Sequence, residues 1–218
     1  MLPSDATLAG LCASIYGHGA PVAWDHYDAG DDDGVCWALK RLDGVDVVVY
    51  RGSADLGDWI EDFRALPIAT RIGTVHNGFH AGMEHAWADA RVLLRQPAII
   101  TGHSLGAARA AVVTGFMIKD GLAPIARVVF GEPKPGFADL AALVASVPGR
   151  SYRNGDGTHH DLVTDVPLTL PPADYLHPTP IIPVCAKPAP DDPWGPFSFH
   201  HIELYQAALA AIPKETAA

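Results

Sequence analysis

The chain has 218 residues, of which 49% are hydrophobic and 18% charged, and its formal charge is −10. This composition is typical of a globular protein with a substantial core and argues against disorder. The excess of 25 acidic over 15 basic residues disfavours nucleic acid or an anionic membrane surface as the main partner. We expect a single domain over residues 1–218, and no repeat or linker divides the chain.

Cysteine usage and the first residues of the chain bear on its location. Cys12, Cys36 and Cys185 are widely spaced and form no metal-like pair, which suggests reduced thiols. The first 17 residues lack a basic segment and include Asp5, unlike a secretory signal peptide. No apolar run approaches the roughly 20 residues that span a bilayer. We therefore expect a cytoplasmic protein without an integral membrane segment, and no pattern indicates its oligomeric state.

The first predicted elements are a helix and a hairpin. Apolar residues recur with helical spacing over residues 4–16, after a possible cap at Ser4. WALKRL (37–42) and VDVVVY (45–50) flank Asp43-Gly44, which predicts two strands joined by a tight turn.

The remaining elements alternate between strands and helices. In chain order we predict a helix over 76–95, a strand over 97–102, a helix over 104–119, a strand over 125–131, a helix over 136–146 and a helix over about 199–212. Ten of the 19 prolines lie between 167 and 196, which predicts an extended loop there. This alternation predicts an α/β fold with a mostly parallel central sheet and helices on both faces.

GHSLG (102–106) fits the G-x-S-x-G pattern in which a serine sits at a sharp turn between a strand and a helix. The predicted strand before it and the predicted helix after it supply that context. The alternative is that Ser104 merely caps a helix, but a cap does not need both glycines. We therefore predict that Ser104 is a nucleophile, which requires a base and an orienting acid later in the chain.

Residues 150–171 offer three candidates for the acid, namely Asp156, Asp161 and Asp165. Asp156 lies in a turn flanked by glycines, where aspartate often serves the backbone alone. Asp165 precedes Val-Pro and could be a cap or a solvated carboxylate. Asp161 is followed by apolar residues that could anchor its loop.

The base is expected in PFSFHHIELY (196–205), where His200 and His201 are adjacent. At the start of a helix these side chains point about 100° apart, so only one can face Ser104. His177, within the proline-rich loop, is a weaker candidate. The residues alone leave His200 and His201 open.

Several ordered blocks of the chain resemble those of one family, the class 3 (fungal-type triacylglycerol) lipases of the α/β-hydrolase superfamily. The similar blocks are VVVYRGS (47–53), VHNGF (75–79), TGHSLGAA (101–108), VVFGEPKPG (128–136), DLVTDVP (161–167) and HHIELY (200–205). The resemblance implies the α/β-hydrolase fold. It also implies a serine ester hydrolase, a lipase or carboxylesterase, acting on a small-molecule or lipid ester without a cofactor or metal.

The resemblance also implies site roles. Ser104 aligns with the nucleophile, Asp161 with the acid and His200 with the base. The oxyanion hole would combine the backbone N–H groups of Leu105 and Ser53, with the Ser53 hydroxyl as a third donor. Residues 54–66 could form a short lid or a helix that covers the core.

Arg109 is unusual in an alanine-rich helix, and two interpretations of it stay open. It could pair with Glu132 at the end of the neighbouring strand, or extend its charged end into solvent.

Other functions compete with ester hydrolysis. A metal site could use His76 and His80, or residues 159–161, or His200 with His201, although no standard ligand spacing is present. A non-catalytic scaffold could retain the same fold. Thioesterase, amidase or acyltransferase chemistry could use the same three residues.

Overall fold

The computed structural model describes residues 2–30, 34–53, 66–168 and 174–212. The strands are β1 (His26–Asp28), β2 (Trp37–Leu42), β3 (Val45–Tyr50), β4 (Pro67–Thr70), β5 (Gly73–His76), β6 (Ala98–His103), β7 (Ala126–Phe130), β8 (Gly149–Asn154) and β9 (Ile181–Val184). The helices are α1 (Asp5–Ile15), α2 (Asn77–His80), α3 (Met83–Leu93), α4 (Leu105–Lys119), α5 (Ala138–Val144) and α6 (Ile202–Ala210). Short 3₁₀ helices cover Leu162–Asp165 and Gly195–His200.

Within these ranges a seven-stranded sheet has the order β1-β2-β3-β6-β7-β8-β9, and β4 and β5 form a separate pair. The strands from β3 to β9 in this order are parallel, whereas β1, β2 and β3 pair antiparallel. The carboxyl ends of the parallel strands therefore meet at one edge of the sheet, which is where open α/β sheets place their ligands.

The sheet is buried on both faces, because alternate residues of each strand point to opposite sides. On β3, Val47 and Val49 join a cluster with α1 and α6, whereas Val48 and Tyr50 join a second cluster with α3 and α4. This two-sided burial explains why the central strands are continuous apolar runs. The predicted mostly parallel sheet with helices on both faces is confirmed.

The predicted elements differ from the structure in one helix and in the strands β1, β4, β5, β8 and β9. The helix predicted over 76–95 is divided, because Gly82 adopts a left-handed conformation (φ 74°) between α2 and α3. None of these five strands was predicted. β9 contains Pro183 and lies at the edge of the sheet, where a residue without an N–H is tolerated.

Two expectations concern membrane contact and a lid. No helix in the described part of the chain is long and apolar enough to cross a bilayer. The lid candidate, 54–66, lies outside the described residues except for Leu66.

Candidate active site

The site begins where β6 ends and α4 begins. Ser104 lies between them with φ 61° and ψ −133°, a conformation that costs a non-glycine residue about 1–3 kcal/mol. Its N–H donates to the Phe130 carbonyl (3.1 Å), and its own carbonyl accepts from the N–H of Ala107 (2.9 Å). The surrounding sheet and helix therefore hold Ser104 in a strained turn at the carboxyl edge of the sheet.

The two motif glycines are required by backbone contacts. A Cβ on Gly102 would lie 2.3 Å from the carbonyl oxygen of Gly106. A Cβ on Gly106 would lie 2.1 Å from the carbonyl oxygen of Tyr50. Both distances are far below van der Waals contact, and the obstacle in each case is backbone that cannot turn aside. The pattern around Ser104 thus exists because strand and helix approach each other too closely for any side chain.

His200 and Asp161 are in direct contact. His200 Nδ1 donates to Asp161 Oδ2 at 2.6 Å, and both side chains are buried. Tyr205 donates its hydroxyl to the same carboxylate oxygen, and the N–H of Val163 donates to the other (2.9 Å). Burial alone would raise the pKa of Asp161, but the charge of His200 and the hydrogen bonds from His200 and Tyr205 lower it. Asp161 is therefore an ionised acceptor that fixes the orientation of the His200 ring.

The other ring nitrogen of His200, Nε2, is buried and has no hydrogen-bond partner among the described residues. His200, Ser104 and Ser53 line one cavity of ≈ 150 Å³. An unsatisfied buried nitrogen costs free energy and calls for an explanation. A base that receives a proton from the neighbouring serine is one such explanation.

The alternative acids have other partners. Asp156 Oδ1 accepts from the N–H groups of Thr158 and His159, so it serves its own turn. Asp165 accepts from His160 Nε2 at 2.8 Å.

His201 lines the same cavity but contacts a different carboxylate. Its Nε2 is 2.9 Å from Asp192 Oδ2, and its ring stacks on Trp194 with 3.8 Å between the centroids. The geometry favours Asp161 with His200, and their roles stay a prediction.

The predicted oxyanion donors lie on two sides of Ser104. Leu105 is the first residue of α4, where backbone N–H groups lack acceptors within the helix. Ser53 follows the end of β3, and the neighbouring Gly52 is so close that an added Cβ would lie 2.9 Å from Ser104 Cβ. The structure thus brings Ser53, Leu105 and Ser104 together as the resemblance implied, while the donor role is still a prediction.

Three residues of this region were not anticipated, namely Tyr16, His103 and Tyr205. Tyr205 contacts Asp161, and Tyr16 and His103 lie in contact with each other beside Ser104. The sequence signals were weak, since Tyr205 lies within a predicted helix and no local pattern marks it as a partner of Asp161. Tyr16 comes from the far end of the chain and reaches the site only through the fold.

The first interpretation of Arg109, its pairing with Glu132, is wrong. Glu132 pairs with Arg127, whose Nη1 lies 2.5 Å from Glu132 Oε1, and both side chains are buried. Arg109 instead donates from Nη1 to the carbonyl of Gly34 (3.1 Å). The cause is local, because Arg127 lies on β7 five residues before Glu132 and already occupies its carboxylate. Nor does Arg109 extend into solvent, since it is buried.

The histidine pairs do not assemble a metal centre within the described ranges, where no cluster of three or more His, Cys, Asp or Glu side chains could hold an ion. His76 Nδ1 accepts from the N–H of Gly78 at 3.1 Å and caps α2.

Residues 47–170 match the family model described as Lipase (class 3). The chain belongs to the class 3 lipase family. A secreted mono- and diacylglycerol lipase of Fusarium solani is 31% identical over 148 residues, which cover 62% of this chain and 42% of that relative. This class 3 lipase chain therefore spans less than half the length of the curated relative.

Solved structures agree on the fold. Lipase II from Rhizopus niveus has a TM-score of 0.68 and 20% identity, covering 83% of this chain and 79% of its own. A triacylglycerol lipase whose catalytic centre is formed by a serine protease triad has a TM-score of 0.60 and 22% identity, covering 75% and 74%. The predicted family and the α/β-hydrolase fold are confirmed.

The expected cytoplasmic location is wrong by this comparison, because the Fusarium solani relative is a secreted lipase. That expectation depended in part on unpaired cysteines. All three are free, and the fold shields Cys12 and Cys36 from the medium because they are buried, whereas Cys185 is exposed. Cysteine usage in this class 3 lipase is therefore no guide to its compartment.

Proposed function

We propose that this class 3 lipase is a serine hydrolase that cleaves carboxylic esters through an acyl-enzyme on Ser104, and that residues 1–218 act as one domain. The observation that carries the proposal is the contact of the buried Asp161 with His200, which lines the cavity shared with Ser104 and whose second nitrogen has no partner among the described residues. A strained serine, an oriented imidazole and an ionised carboxylate are the parts that acyl transfer requires.

In the proposed reaction, Ser104 Oγ attacks the acyl carbonyl while its proton passes to His200 Nε2. The negative charge on the former carbonyl oxygen is stabilised by the N–H groups of Leu105 and Ser53, each worth about 2.7–4 kcal/mol. Collapse of the intermediate releases the alcohol, which takes the proton from His200. Water then attacks the acyl-enzyme with His200 again as the base, releasing the acid and restoring Ser104.

For the substrate we propose short- to medium-chain acyl esters or acylglycerols. The cavity beside Ser104 is small, ≈ 150 Å³, and the exposed ring of Trp194 stands at its wall. The Fusarium solani relative acts, by its name, on mono- and diacylglycerols. A thioester hydrolase or an acyltransferase would use the same three residues, and the substrate panel below separates them.

The test is hydrolysis of p-nitrophenyl esters of short, medium and long acyl chains, with the matching thioesters and an added alcohol acceptor. We expect Ser104→Ala and His200→Ala each to lower kcat by about 10⁴- to 10⁶-fold. The matched control is His201→Ala, which removes the adjacent imidazole and is expected to change kcat less than about tenfold, because His201 contacts Asp192 rather than Asp161.

Four outcomes would contradict the proposal. Full activity in Ser104→Ala would eliminate the serine mechanism, and a loss confined to His201→Ala would assign the base to His201. Faster cleavage of thioesters than of oxygen esters, or transfer to the alcohol in preference to water, would replace ester hydrolysis by the corresponding alternative.

A further inference from the structure

A chain of hydrogen bonds joins the two sides of the candidate site through residues outside the proposed triad. Tyr16 ends α1, and His103 is the last residue of β6, directly before Ser104. The N–H of Gly52 donates to Tyr16 Oη (2.9 Å), and Tyr16 Oη lies 3.2 Å from His103 Nδ1. His103 Nε2 lies 2.7 Å from the carbonyl oxygen of His200.

The ring proton in this hydrogen-bond chain follows from what each atom can do, while the Tyr16 hydroxyl can donate to His103 Nδ1 (3.2 Å) or to the His103 carbonyl oxygen (3.4 Å). A carbonyl can only accept, so His103 Nε2 carries a proton and donates it to His200 O. Burial, and then repulsion from His200, lowers the pKa of His103 well below its usual value, so the ring is neutral and Nδ1 is an acceptor. Burial likewise raises the pKa of Tyr16, whose hydroxyl remains a donor to His103.

The two ends of this hydrogen-bond chain are the parts of the site whose separation matters for acyl transfer. Gly52 precedes Ser53, the proposed oxyanion donor, and the far end is the backbone of His200, the proposed base. His200 ends a 3₁₀ helix before α6, and its ring lies 4.4 Å, centroid to centroid, from that of His103. Asp161 holds the His200 side chain, whereas His103 holds its main chain.

We propose that Tyr16 and His103 are positioning residues that fix the distance between the oxyanion segment and the His200 main chain. This inference rests on the proposed function, because it assigns a task to residues beside that site. Neither residue transfers a proton in the reaction, although both line the cavity that Ser104 and His200 share. Their effect on rate follows from geometry, since a displacement of about 1 Å at a reacting centre costs about 100-fold.

The variants are Tyr16→Phe, which removes only the shared hydroxyl, His103→Leu, which removes both ring hydrogen bonds, and the double variant. We expect each single change to lower kcat about 10- to 100-fold with little change in KM. Because both residues belong to one hydrogen-bond chain, the double variant should lose no more kcat than the worse single variant. His103→Gln retains an N–H donor near the Nε2 position and should recover part of the rate lost in His103→Leu.

The matched control is Thr101→Val. Thr101 Oγ1 lies 3.4 Å from Cys12 Sγ, so it also links β6 to α1 in the core, two residues before His103. We expect Thr101→Val to lose stability without losing kcat, which separates positioning from a general loosening of α1 against the sheet. A wild-type kcat in Tyr16→Phe, or losses that simply add in the double variant, would overturn the proposal.

A second measurement does not depend on turnover. The proton shared by His200 Nδ1 and Asp161 gives a low-field NMR resonance when the ring is held. We expect this resonance to broaden or shift in Tyr16→Phe and His103→Leu, and to stay in place in Thr101→Val and His103→Gln. An unchanged resonance in His103→Leu would refute positioning even if the wild type hydrolysed no ester, whereas an inactive wild type with the expected NMR pattern would refute only the proposed function.

Discussion

The segment that carries Ser104 and the segment that carries Asp161 and His200 are built on different physical principles. Residues 98–117 are entirely buried and mostly apolar, and Ser104 is fixed there by backbone packed against backbone. Residues 149–205 contain short strands, 3₁₀ turns and many prolines, and Asp161 and His200 are fixed there by buried polar contacts. Glycines without side chains let backbone contacts position Ser104, whereas specific side-chain pairs position Asp161 and His200.

Buried polar support in the second region extends beyond Asp161. Glu132 follows β7 and contacts Arg127, while Ser151 Oγ donates to Glu132 Oε2 (3.1 Å). His177 Nδ1 is 3.9 Å from the same oxygen, and His177 Nε2 donates to the Thr164 carbonyl (2.9 Å), next to the turn that Asp161 caps. This group connects the central sheet with the loop that carries the proposed acid.

The largest effect on stability is expected from Arg127→Met. This change leaves Glu132 charged, buried and without its cation, and it should lower the free energy of unfolding by about 3–5 kcal/mol. Burial alone would raise the pKa of Glu132, and the charge of Arg127 contributes most to lowering it. Urea denaturation followed by circular dichroism measures the loss.

The control is Arg127→Met combined with Glu132→Gln, which removes the charge together with its partner. We expect the double variant to recover most of the lost stability, because a neutral amide needs no cation. An Arg127→Met protein as stable as the wild type would show that this pair does not support the acid–base region.

The next largest effect tests the apolar region around Ser104. In Gly106→Ala the new methyl group would meet the Tyr50 carbonyl at 2.1 Å, so α4 must move away from β3. We expect a loss of about 3 kcal/mol, at the upper end of the usual cost of overpacking. Thermal unfolding of the purified variant measures it.

Gly10→Ala is the matched control, since Gly10 is also helical but its added Cβ would meet only the flexible side chain of Gln206 at 3.1 Å. It should be neutral or stabilising by up to about 1 kcal/mol, because alanine favours helix more than glycine. Equal losses in the two variants would contradict the idea that backbone contact sets the position of Ser104.

The same contrast explains what the sequence could predict. Apolar runs and two glycines express the packing of β6 and α4 directly, so the region around Ser104 was predicted almost residue for residue. The contacts of His200 and Glu132 depend on which polar side chains meet across the fold, and no local pattern encodes them. Neither interpretation of Arg109 was therefore correct, and Tyr16, 88 positions before Ser104, was not considered.

The smallest expected effect is a pH dependence at the junction of the two regions, where His103 contacts His200. Burial lowers the pKa of His103 in the folded state below the 6.5 of a free histidine. As the pH falls through 6.5 the unfolded chain takes up a proton that the folded chain does not. Stability present above this pH is therefore lost below it, by up to about 1.4 kcal/mol per pH unit.

His103→Gln should remove this dependence of stability on pH. The pKa of His80 is also lowered by burial, but His80 is present in both proteins, so its contribution cancels in the comparison. Urea midpoints measured between pH 7 and pH 5 give the difference, with the exposed His85→Gln as the control for losing one histidine. Parallel curves for wild type and His103→Gln would mean that His103 takes up a proton in the folded protein as readily as in the unfolded chain, and once protonated its Nδ1 could not accept from Tyr16.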